Sequence, residues 1–131
     1  MMRRTPSVKS LCAFYARLGL LFLAANLLSG PALVFAQTIT RGPYLQLGTS
    51  SGIVVRWRTS VATDSRVEFG SAPASLTNSM ISPTLTTEHV ITLTGLSADA
   101  LYYYSVGSTT QVLAGADTSH FFVTAPTPGT A

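Results

Sequence analysis

The sequence is short of what would make it a disulfide scaffold, a membrane-spanning protein or a charged binding arm. Its 131 residues include one cysteine, and only 10% of them are charged. A single thiol closes no intrachain disulfide. The main apolar run, Leu18 to Leu28, has 11 residues, well short of the ~20 that a helix needs to cross a bilayer. No helical period of useful length occurs after Gln37, which argues against a bundle or an α/β layer fold and leaves short alternating segments to build the core.

The formal net charge of +3 suggests a basic protein until the charges are placed. Arg3, Arg4, Lys9 and Arg17 all precede the apolar run, which Ser29, Gly30 and Pro31 end. Val34, Phe35 and Ala36 then offer the small or modest residues that a signal peptidase reads. Residues 1–36 are therefore expected to be a leader helix cleaved after Ala36, giving a secreted protein, periplasmic or extracellular. Cys12 would leave with the leader, so the mature chain would hold together by packing alone. From Gln37 onward, Arg41, Arg56, Arg58 and Arg66 stand against Asp64, Glu68, Glu88, Asp99 and Asp117, four charges against five, so the net is −1. A nucleic-acid module would keep a basic stripe, and this balance argues against one, so nucleic acid is not an expected partner. Nor is a membrane, once the leader has gone.

The remainder reads as an all-β protein of about seven short strands. Ile39 to Leu47 contains Gly42 and Pro43, and proline belongs on an edge strand or at a bulge. Ile53 to Thr59 alternates cleanly, with Ile53, Val55 and Trp57 on one face and Val54, Arg56 and Arg58 on the other. Ser65 to Gly70 repeats the pattern, with Val67 and Phe69 inward. Leu76 to Ser82 is a weak strand expected to turn Met80 or Ile81 inward, and Glu88 to Thr94 carries Ile91 and Leu93. Ser108 to Thr118 is small and polar, with a hairpin expected around Gly115. His120 to Thr124 is the last strand, and residues 126–131 have the composition of an extended linker.

Thr92 to Gly107 organises the rest. Leu93 and Leu96 close one strand, Ser97 to Ala100 turns, and Tyr102, Tyr104 and Val106 alternate along the next. Leu96 followed six residues later by Tyr102 is the spacing of a tyrosine corner, in which the phenol returns to a backbone group at the turn between sheets.

Trp57, Leu96, Tyr102, Tyr104 and Val106 together resemble the structural core of a fibronectin type III (immunoglobulin-like) antiparallel β-sandwich. A narrower resemblance rests on six segments in order: RGPYLQLGT (41–49), VVRWRT (54–59), VEFGSAP (67–73), EHVITLTGL (88–96), LYYYSVG (101–107) and FVTAP (122–126). They are similar to the N-terminal domain of purple acid phosphatases and related secreted metallophosphoesterases, across residues 37–125. The resemblance implies an accessory sandwich joined by a linker to a metallophosphoesterase domain. That domain would hold two metal ions, iron with iron, zinc or manganese, and hydrolyse phosphate monoesters. Its ligands occur in Gly-Asp, Gly-Asn-His and Gly-His-x-His contexts. The sequence has no Gly-Asp, Gly-Asn or Gly-His pair, so no catalytic or metal-binding residue carries over. The catalytic domain is expected to lie beyond the linker in which the chain stops. A free-standing secreted module for glycan or protein partners is the alternative reading.

Other candidates for chemistry have structural roles as their first reading. His89 shares parity with Ile91 and Leu93 and is expected at the rim of the core, hydrogen-bonded. Asp117, Ser119 and His120 stand too close in sequence for a catalytic triad. Arg58 and Arg56 are expected to meet Glu88 across neighbouring strands. Phe121 and Phe122 are adjacent, so only one of them can enter the core. The other, with Tyr103, is a candidate domain interface.

Overall fold

The computed structural model describes residues 35–129. Most of the expected leader and the end of the expected linker lie outside the described residues. No helix occurs among the described residues. The strands are β1 (Ile39–Gln46), β2 (Gly52–Gly70), β3 (Asn78–Thr94), β4 (Leu101–Gly107), β5 (Val112–Gly115) and β6 (Phe121–Val123).

All pairings are antiparallel, and two long strands organise them. The first half of β2 lies between β1 and the second half of β3, with Val55 opposite Leu45 and Ile91. The second half of β2 lies between the first half of β3 and β4, with Val67 opposite Met80 and Val106. β4 continues outward to β5 and β6, which pair with successive parts of it. β1 pairs only with β2, and the irregular pairing from Arg41 to Tyr44 places Pro43 on an edge at a register shift, where its missing N–H costs no ladder bond.

The two halves are joined by a bend that sequence reading split into separate strands. From Arg58 to Thr63 β2 advances five residues while β3 goes from Glu88 to Thr86. From Thr63 to Ser65 β2 advances two while β3 goes to Ser82. Extra residues on each strand in turn curl the ribbon without breaking it, as bulges do. Ser60, Val61, Thr63, Leu85 and Thr86 are compatible with extended backbone, so β2 and β3 each replace two expected strands. The count becomes six.

Curling brings the inward faces of the halves together over one core. Ile53, Val55, Trp57, Ile91 and Leu93 come from the first half, and Val67, Phe69, Tyr104, Val106 and Phe122 from the second, with Leu96 at the corner. Met80 faces the core side opposite Val67, yet it is 39% exposed, and among the described residues no further strand pairs with β3 there. Ile81 points outward and is more exposed still, so Met80 is the one turned inward, although it is left partly uncovered.

β5 is a strand where a hairpin was expected, and Gly115 ends it. That residue has φ +96°, and a Cβ there would stand 2.3 Å from the Tyr104 carbonyl oxygen. Only glycine lets the chain pass so close to β4 in the left-handed region.

Candidate docking surface

The tyrosine corner fixes the strand on which the surface is built. Tyr102 Oη accepts a hydrogen bond from the Ser97 backbone N–H at 3.0 Å. Thr124, which sequence reading did not single out, completes the corner. Its buried hydroxyl donates to the Ser97 carbonyl at 2.6 Å and accepts from the Ala100 N–H at 2.9 Å. The end of the last strand is thereby tied to the turn that starts β4.

With that register set, the adjacent phenylalanines part. Phe122 pairs with Tyr102, is buried, and packs against the Tyr102 and Tyr104 rings with centroids 5.5 and 6.1 Å away. It is therefore a core residue and unavailable as a docking residue. Phe121 points to the opposite face, 49% exposed, and lies across from Tyr103 with ring centroids 6.3 Å apart. Leu101 faces Val123 in the next outward pair, at 44% and 57% exposure. Four apolar side chains thus stand as two cross-strand pairs on the outer face of β4 and β6. A grouped patch of this kind marks an interaction surface more strongly than scattered exposed residues do.

The polar candidates are engaged in structural contacts. His89 is fully buried, not at the core rim, and its ring stacks on Trp57 with centroids 4.7 Å apart. Thr59 Oγ1 donates to the Val61 carbonyl, so toward His89 Nε2, 2.8 Å away, it can only accept. Nε2 therefore carries the proton, and Nδ1 accepts from the Ser65 hydroxyl at 2.8 Å. Burial pushes the His89 pKa down, partly opposed by the charges of Asp64 and Glu88, so the neutral ring is favoured. His89 was missed as a clamp because Thr59 and Ser65 reach it from opposite ends of the bend.

Asp117 Oδ1 accepts from the Ser119 and His120 N–H groups and from His120 Nδ1. The result is a turn around one carboxylate, whose pKa these bonds lower; Ser119 contributes its backbone and no triad forms. Asp64 accepts two bonds from Thr109, which lower its pKa. Arg58 pairs with Glu88 across β2 and β3. Arg56 pairs instead with Gln46, through Nη1 to Oε1 at 3.4 Å. Among the described residues no three His, Cys, Asp or Glu side chains are grouped to hold a metal ion. The residues present do not fit a two-metal centre.

A family model described as the purple acid phosphatase N-terminal domain matches residues 40–124. No curated protein matches the chain. Among solved structures, a computationally redesigned β-sandwich protein is similar at 18% identity and a TM-score of 0.48, covering 70% of this chain and 98% of that one.

Proposed function

Because the chain belongs to the purple acid phosphatase N-terminal domain family, we propose that it is a non-catalytic accessory domain of a secreted metallophosphoesterase. Its role in this reading is to brace the phosphatase domain that follows it in the same polypeptide. The leader expected over residues 1–36 would deliver that enzyme across a membrane, and the two metal ions would belong to the phosphatase domain alone.

The observation that carries the reading is the apolar quartet of Leu101, Tyr103, Phe121 and Val123. Two of the four lie on the last strand, so a domain tethered a few residues later is held close to the patch at high effective concentration. Contacts between domains of one chain are modest in area, and four apolar side chains on a flat sheet suit the centre of such a contact.

The test uses the two-domain polypeptide with Tyr103→Ser and Phe121→Ser together. The reading predicts that the pair leaves the sandwich folded while lowering the temperature at which phosphatase activity is lost. A double variant whose thermal inactivation matches the parent would remove this surface from the account.

A further inference from the structure

The sheet brings together charges that the sequence keeps apart. Arg41 on β1 and Arg56 and Arg58 on β2 all lie on the outer face of the first half of the sandwich, around Tyr44. Arg41 is opposite Arg58 and Tyr44 opposite Arg56 in the strand register. The Arg41 guanidinium stands 5.7 Å from the centre of the Tyr44 ring. Three of the four described arginines thus share one face, where Glu88 is the one acid and is already paired with Arg58. Asp64 and Glu68 lie at and beyond the bend in β2 and Asp117 in the turn before β6, with Arg66 as the remaining cation, while the Asp99 N–H donates to the carbonyl of Ala125, whose own N–H donates to the Thr49 carbonyl.

Two like charges set directly across a β ladder oppose folding. Arg41 and Arg58 hold that arrangement on an exposed face where any polar residue would fit. Arginine, charged at every physiological pH, offers a planar fork that matches carboxylate or sulfate oxygens two at a time. An isolated exposed ion pair contributes little, so a row of guanidinia suits a ligand that repeats its anionic group.

The face continues into a cleft of about 430 Å³ where β2 begins and β3 ends. Val54 and Thr92, outward neighbours of Arg56 and Val90, border it, and Ser51 and Thr94 add hydroxyl groups, whereas the Thr49 hydroxyl is held by the Gly52 carbonyl and the Ser51 N–H. Hydroxyl donors and acceptors beside a cationic row, with an aromatic ring among the cations, are complementary to sugar rings that carry acidic substituents.

We propose that the outer face formed by Arg41, Tyr44, Arg56 and Arg58, with the adjoining cleft, binds an acidic polysaccharide. The shared chemistry is a carboxylated or sulfated sugar polymer. This surface is separate from the quartet on β4 and β6, so an accessory domain could hold its enzyme on a polyanionic matrix while docking the phosphatase elsewhere.

Affinity electrophoresis of the purified chain through gels containing polygalacturonate, dextran sulfate or neutral dextran tests the proposal. Retardation is expected in one or both acidic gels, falling as salt rises, and none in neutral dextran; the gel that retards identifies carboxylate or sulfate as the recognised group. Arg41→Gln with Arg56→Gln should weaken binding about tenfold, with an unchanged circular dichroism spectrum, while Arg66→Gln should bind as the parent does. No retardation in either acidic gel, or equal retardation of the double variant, would overturn the proposal. So would equally tight, arginine-dependent binding to anionic lipid vesicles or duplex DNA, which would assign the face to general polyanion attraction.

Discussion

His89 lies flat on Trp57, their planes within 6° of parallel, while its two ring nitrogens reach Thr59 and Ser65 on either side of the bend in β2. One imidazole therefore holds both halves of the sandwich at the place where the long strand passes between them. The neutral Nε2–H form satisfies every hydrogen in that set. A second proton would turn Nδ1 into a donor facing the Ser65 hydroxyl, which would have to reverse its bond.

This arrangement makes stability depend on pH. His89 has a folded-state pKa below its ordinary value of 6.5, so below that pH the unfolded chain binds the proton more readily. Its contribution is complete above about pH 6.5 and is lost as pH falls toward the folded-state pKa. Urea unfolding should show a plateau down to about pH 6.5 and then a fall whose slope stays below about 1.4 kcal/mol per pH unit. His89→Gln should be less stable at pH 7.5 and nearly flat below it. A flat parent profile would contradict the preference of the buried ring for its neutral form.

The two phenylalanines of β6 should respond in opposite ways. Phe122→Ala removes a ring from the core and is expected to cost about 3–5 kcal/mol. Phe121→Ala, on the outer face, should stay within about 0.5 kcal/mol. Denaturant midpoints of the two variants check the register on which the proposed docking surface rests.

Tyr102→Phe keeps the ring and deletes the acceptor for the Ser97 N–H. Ser97 is exposed, so water can replace part of the bond, and a loss of about 1 kcal/mol is expected. Thr124→Val should cost more, because a buried hydroxyl that both donates and accepts is removed. Equal stabilities in urea for Tyr102→Phe and the parent would mean that the corner bond adds nothing.

Glycine substitutions separate backbone conformation from crowding. Gly95 has φ +72° but open space where a Cβ would go, whereas Gly115 combines φ +96° with the nearby Tyr104 carbonyl. Gly95→Ala should cost about 1–2 kcal/mol, and Gly115→Ala clearly more. Calorimetric melting of both variants reads the difference.

Local patterns were legible in the sequence where a short spacing decided them. The corner needed only Leu96 and Tyr102, and the inward set Ile53, Val55 and Trp57 needed only strand alternation. What escaped depended on pairing register. Thr63 and Thr86 read as loop residues until the two strands are placed side by side. Phe121 and Phe122 are equivalent until Tyr102 selects one. His89 as a clamp and Arg41 opposite Arg58 each join residues from different strands, and a net charge of −1 concealed a face carrying three of the four arginines.

The most direct test of the accessory reading is hydrolysis of an aryl phosphate by the purified chain, supplied in turn with iron, zinc and manganese and compared with the two-domain polypeptide. The account predicts turnover by the two-domain protein and none by the chain with any metal. Metal-dependent turnover that follows the chain itself through purification would contradict it.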